Sequence, residues 1–203
     1  MQNGVVAEKM KEAGIDNQTS FGLSIAQIRM IALDYNKDQN LAFFLLRKSL
    51  RESKLLSLHL FDANIISYDL GTEIVNELNT IELAEQASRL LLSKVPDAET
   101  IMLYACNSDS EFAKMTGFLL LAQLSLSTNH EFENEPDLFA LIEQNAIGAT
   151  TLVMRSISYA LRKFSTRNQV LKSKGIQLMD RLRNSDNYPS RWIAEEASLE
   201  LDG

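Results

Sequence analysis

Apolar residues recur at three- and four-residue steps along almost the whole chain, and little interrupts them. Ile25, Ile28, Ile31, Ala32 and Tyr35 mark one side of a helix, with Ser24 placed to cap its N-terminus. Only 3 prolines and 8 glycines punctuate the 203 residues, and no segment keeps the two-residue alternation of a strand. The periodicity predicts about a dozen helices near 4–12, 25–36, 39–50, 51–63, 70–79, 81–94, 97–107, 110–127, 136–147, 150–165, 168–184 and 189–201, with ends good to about two to four residues. Their connections are short, so neighbours run antiparallel.

Helix pairs repeated without a strict sequence period predict an all-α fold. The expected architecture is an α-α superhelix, a solenoid of HEAT-like, armadillo-type repeats in which each pair buries its face against the next. A compact helical bundle is the alternative. With 45% apolar residues the chain can bury a substantial core, and its length fits one repeat domain over 1–203 with about six helix pairs. The stretches at 41–50 and 117–126 are apolar nearly all round and read as inner helices covered on both sides, whereas helices near the termini are amphipathic. Glu131, Glu133, Glu135 and Asp137 mark a loop, with Pro136 at the start of the next helix and Asn134 or Glu135 as its cap. That acidic loop is expected on a face away from any phosphate.

Charge is unevenly spread. Between 151 and 183, Arg155, Arg162, Lys163, Arg167, Lys172, Lys174, Arg181 and Arg183 stand against the single acid Asp180, so this segment carries +7 and the rest of the −7 chain carries −14. Such polarity reserves one surface for an anionic partner, although helical charge runs also serve simply as solvated faces. Arg155, Tyr159 and Arg162 or Lys163 are three and four residues apart, which puts two or three cations and an aromatic ring on one side of a helix. Such a stripe holds phosphates while its ring packs on a sugar or base.

Other chemistries find few residues here. Cys106 is the only cysteine, which fits core packing and a reducing compartment. His59 and His130 lack a second ligand at metal spacing, so no metal site is expected. His59 reads as a capping or packing residue within its helix. The glycines are scattered singly, which argues against a phosphate-cradling loop and a nucleotide cofactor, and no serine sits in a nucleophile elbow. No run of about 18 apolar residues and no secretory leader pattern is present, so a cytoplasmic protein with no membrane association is expected. Trp192, with Ala197 and Leu199 nearby, reads as core of the last repeat.

Several separated segments resemble one family. SFGLSIAQIRMIAL is similar to an opening aromatic-Gly helix, and LAFFLLRKSLRESKLLSLHLFD to the helix pair that follows it. SDSEFAKMTGFLLLAQLS, ISYALRKFSTRN and SRWIAEEASLEL resemble later segments in the same order. Together, over roughly 20–201, they resemble the DNA alkylation repair proteins, the AlkD-like helical-repeat DNA glycosylases. The resemblance implies a concave basic surface that grips duplex DNA and removes cationic alkylated purines, without cofactor or metal. As the glycosidic bond breaks, positive charge builds on the deoxyribose. A carboxylate and electron-rich aromatic faces beside the sugar stabilise it.

Carried over position by position, the family's Trp-Asp-x-x-Asp segment aligns with Ile81-Glu82-Leu83-Ala84-Glu85. The catalytic carboxylate therefore falls on Glu85, one methylene longer, and the tryptophan has become Ile81. The arginine of its Lys-Arg-x-Gly-Phe segment aligns with Met115, beside Lys114, and a second tryptophan aligns with Tyr159. The resemblance thus implies Glu85 and Tyr159 as catalytic and Lys114, Arg155, Arg162, Lys163 and Arg167 as DNA-binding. Without it, Glu85 reads as a solvated acid paired with Arg89 at i+4. Loss of an aromatic and of a phosphate clamp each removes about 1–3 kcal/mol, or roughly 10- to 100-fold in rate. Two readings stand: a protein binding damaged or structured duplex DNA with a glycosylase site that is degraded, and a non-catalytic repeat scaffold for a protein partner or structured DNA.

Overall fold

A computed structural model describes residues 20–128, 130–132 and 135–199; the helix predicted over 4–12 and the cap Asn134 lie outside them. Among the described residues there are eleven α-helices, two short 3-10 turns and no strand. The chain divides into two compact units, Met1–Asp97 and Ala98–Gly203.

The first unit holds α1 (Ile25–Ala32), α2 (Gln39–Leu46), α3 (Arg51–Leu60), α4 (Tyr68–Glu77) and α5 (Ile81–Leu90), with 3-10 turns at Ala63–Ile65 and Leu92–Lys94. Ser24 caps α1 as expected, in a capping box with Gln27. Asp38, Ser67 and Thr80 cap α2, α4 and α5 through their side-chain oxygens. Several helices stop short of the predicted ends. The apolar pattern runs on to Tyr35, yet Leu33 and Tyr35 are exposed and nothing holds a further turn, so α1 ends at Ala32.

The expectation that 41–50 is covered all round does not hold. The helix ends at Leu46 with only Ala42 and Leu46 buried, and it packs chiefly on α3. Phe44 is 58% exposed, with the Lys48 ammonium 3.8 Å from its ring centre, a cation–π contact that lets an aromatic face remain outside.

Beneath α1, the start of α3 carries a buried ionic network. Arg51, only 1% exposed, donates from Nε and Nη2 to the two oxygens of Glu82 on α5, at 2.7 and 2.5 Å, and from Nη1 to the Leu23 carbonyl at 2.8 Å. Glu52, 6% exposed, accepts from the Ser20 hydroxyl at 2.8 Å and from the Gly22 and Leu23 N–H groups at 3.1 and 3.3 Å. Gly22 supplies the turn that makes this possible, at φ +73°, a conformation costly for a residue with a Cβ. The network therefore ties the segment before α1 to both α3 and α5.

The second unit holds α6 (Ala98–Cys106), α7 (Glu111–Leu126), α8 (Glu135–Ala146), α9 (Thr151–Ser165), α10 (Gln169–Arg183) and α11 (Tyr188–Ser198). Here the predicted inner helix is found: α7 is buried nearly all round, through Ala113, Phe118, Leu121 and Leu124 among others, and packs against α6 and α9. A Cβ on Gly117 would lie 2.5 Å from the Cys106 nitrogen, so the glycine is what lets α6 and α7 approach. Cys106 is fully enclosed there, and burial pushes its thiol up in pKa. Trp192 is half-buried rather than core, and Leu199 is 71% exposed; Ile193, Ala194 and Ala197 form the buried side of α11.

Candidate functional site

The geometry of α9 decides what the basic segment can do. Its buried residues include Val153, Met154, Ile157, Ala160, Leu161 and Phe164, and α7, α8, α10 and α11 all pack on it. What remains open is a narrow stripe. At 100° per residue, Arg155, Arg162 and Lys163 all lie within about 60° of Tyr159 around the axis. Arg155 is exposed and the other three are half-buried. The Arg162 guanidinium carbon lies 5.8 Å and the Lys163 ammonium 5.6 Å from the centre of the Tyr159 ring. The expected juxtaposition of cations and aromatic ring is therefore present within this helix.

Other predicted residues have other surroundings. Lys114 is half-buried on α7. Met115, standing where the family's second cation belongs, is 5% exposed and part of the core, so that position offers nothing to phosphate. Arg167 follows α9, and its Nη1 donates to the carbonyls of Leu124, Ser125 and Ser127 at 3.0, 3.1 and 3.1 Å. Its Nη2 donates to the His130 carbonyl, and its guanidinium stacks over Phe132 at 5.1 Å. This residue closes the C-terminus of α7, satisfying carbonyls that the helix itself leaves without partners. In the same basic segment, Arg181 forms a two-pronged pair with Glu143, both contacts at 2.9 Å, and Arg183 pairs with Asp180.

The acidic loop was expected away from the phosphate face. Its Phe132 packs on Phe164 of α9, ring centres 5.2 Å apart, so the loop adjoins the stripe's own helix. Phe164, however, projects roughly 140° around the helix from Tyr159. Glu131 and Asp137 are exposed, and Glu133 lies outside the described residues.

Glu85 belongs to the first unit, on α5, and Tyr159 to the second. Glu85 is exposed, and the ion pair expected with Arg89 is not formed: Arg89 donates from Nη2 to Gln86 at 2.9 Å. Glu85 has no ion-pair partner among the described residues. Its carboxyl titrates above the usual carboxylate value, first because protein partly displaces water around it and then because of Glu82 one turn earlier. The Arg51–Glu82 pair was not foreseen from the sequence, because an arginine opening an amphipathic helix normally signals a solvated face. Among the described residues no group of three His, Cys, Asp or Glu could hold a metal ion, and no helix is long and apolar enough to cross a membrane.

Comparison with known proteins extends this picture. The family model described as DNA alkylation repair enzyme matches residues 1–201. The chain belongs to that family. A solved structure, described as a new family of proteins related to the HEAT-like repeat DNA glycosylases with affinity for branched DNA structures, superposes on this DNA alkylation repair family member with a TM-score of 0.76. The alignment has 16% sequence identity and covers 96% of this chain and 88% of that one. At that identity the likeness concerns the fold, which is the all-α HEAT-like repeat. Among curated proteins, none matches the sequence.

Proposed function

We propose that this protein binds double-stranded DNA, branched or damaged, through the open stripe of α9, where Arg155, Arg162 and Lys163 contact backbone phosphates beside the Tyr159 ring. The observation that carries this reading is the selectivity of exposure on α9. A helix covered by four neighbours leaves one strip partly exposed, and along it Arg155 is exposed while Tyr159, Arg162 and Lys163 are half-buried. Lys114 adds a further cation on α7. Arg167 is left out of the binding set, because its guanidinium is engaged by carbonyls at the end of that helix. The affinity for branched DNA stated for the structurally similar protein supports structured DNA as the partner class.

Base excision is the second reading, and one observation favours it: Glu85 is an exposed carboxylate with no ion-pair partner among the described residues. Excision through Glu85 is slow, because Ile81 offers no π face and Met115 no charge where the family has both. Each loss costs about 10- to 100-fold.

Both readings meet in one pair of assays. The triple variant Arg155→Gln/Arg162→Gln/Lys163→Gln should bind a 20-base-pair duplex and a four-way junction about 10- to 100-fold more weakly than wild type; equal affinity excludes the stripe. On methylated duplex DNA, wild type should release cationic methylpurines slowly and Glu85→Gln not at all. Binding without any release by wild type leaves the non-catalytic scaffold as the function.

A further inference from the structure

In the first unit, α1 presents an apolar face that no described residue covers. The end helix of a repeat stack ordinarily turns polar side chains outward. On α1 only Ile28 is buried and the helix packs chiefly on α3, while Met30 is 65% exposed and Phe21 and Ile31 also meet solvent. Two hollows adjoin here. One is lined by Leu23, Ala26, Gln27, Met30 and Ile31; the other shares Leu23 and Ile31 and adds Phe21, Leu50, Leu56 and Glu52 among others. Together they form an apolar groove along α1 with a buried carboxylate among its walls.

The ionic network beneath α1 is short of one cation. Arg51 stands against both Glu52 and Glu82. The other buried cation of α3, Lys54, is turned to the carbonyl and carboxylate of Glu77. Glu52 Oε1 takes the hydrogen bonds from Ser20, Gly22 and Leu23, whereas Oε2 is buried and accepts none among the described residues. Uncompensated charge away from water is costly. The occupant that suits this groove is therefore apolar along one side, with a cation at its edge.

Residues 4–12, which the apolar periodicity reads as a helix, carry that chemistry. On a helix Val6, Met10 and Ala13 fall within about 60° of one another, and Lys9 borders their stripe. A helix over 4–12 is about 14 Å long against about 12 Å for α1. Residues 13–19 span at most about 25 Å, ample for that helix to fold back from Ser20, whose hydroxyl is already bonded to Glu52. Attachment through so short a connection gives an effective concentration in roughly the millimolar range, which favours this segment over a second copy of the chain.

We infer that residues 4–12 dock as a helix along α1, with Val6 and Met10 in the groove and Lys9 paired with Glu52. The segment then closes the N-terminal end of the first unit, supplying both the missing apolar cover and the missing cation. This contact is separate from DNA binding and stands whether or not the α9 stripe holds phosphate.

The test uses the full chain with a nitroxide on Asp34→Cys, an exposed position just past α1; Cys106 is fully enclosed and does not compete for the label. The label should broaden the amide signals of residues 4–12, equally before and after dilution, and Val6→Asp/Met10→Asp should abolish the effect. In urea melts Lys9→Gln should lower the midpoint of the otherwise wild-type chain and leave that of Glu52→Gln where it is, the signature of a coupled pair. Signals of 4–12 that the label leaves sharp overturn the inference. Broadening that disappears on dilution gives the groove to a second copy and overturns it too. So does broadening that survives in Val6→Asp/Met10→Asp, or a Lys9→Gln effect of equal size in the Glu52→Gln background.

Discussion

Glu52 shows how a single carboxyl is set by its surroundings. Burial pushes its pKa up, but hydrogen bonds from the Ser20 hydroxyl and from backbone N–H groups of the Phe21–Leu23 segment outweigh burial, and the folded value lies below the usual one. The sign follows from linkage. A lowered acid contributes stability that is fully present above its unfolded pKa and lost as pH falls through its folded pKa. Replacing Glu52 by Gln should therefore lower stability at pH 7 and narrow the gap to wild type on acidification below about pH 4. Parallel urea curves from pH 7 to pH 3 measure it, and a gap that stays constant over that range excludes the account. The adjoining Arg51 is held by Glu82 in the same network, where removing one partner of a buried pair typically costs about 3–5 kcal/mol.

At the level of elements, close helix contacts shape the second unit. A Cβ on Gly175 would sit 2.0 Å from the Ser165 hydroxyl oxygen and 2.7 Å from its Cβ, so α10 approaches α9 only because position 175 lacks a side chain. Gly175→Ala should cost about 1–3 kcal/mol through forced separation of the two helices, although alanine is the better helix former. Introducing Ser165→Gly alongside it should restore much of the loss, as thermal melts can show. Melts in which Gly175→Ala gains stability by itself rule out the close-approach argument. The same packing fixes the rotation of α9, which is what leaves Arg155, Tyr159, Arg162 and Lys163 on its least covered side.

For the whole molecule, net charge and local charge act at different ranges. The segment 151–183 carries +7 within a chain of −7. Screening lengths are about 8 Å at 0.15 M salt and about 30 Å at 0.01 M. Near physiological salt a phosphate beside α9 meets mainly the local cations, whereas at very low salt it meets the acidic total as well. DNA affinity should therefore fall steeply with salt above about 0.1 M and level off below about 0.02 M. A fluorescence-anisotropy series across that range is the measurement; a slope undiminished down to 0.01 M contradicts this balance of forces.

Helix content, most helix centres and the HEAT-like repeat class were legible in the chain because periodicity of apolar residues is a local property, and caps such as Ser24 announce themselves in sequence. The stripe on α9 was legible for the same reason, its members being three and four residues apart. Duties set by partners distant in sequence were not. Arg167 reads like any other cation until the end of α7 arrives to receive it, Arg51 until Glu82 does, and Met115 until the core closes over it. Local patterns determine which elements form and which face each one buries; tertiary packing decides which charges remain available, because pairing and burial depend on neighbours that no sequence window contains.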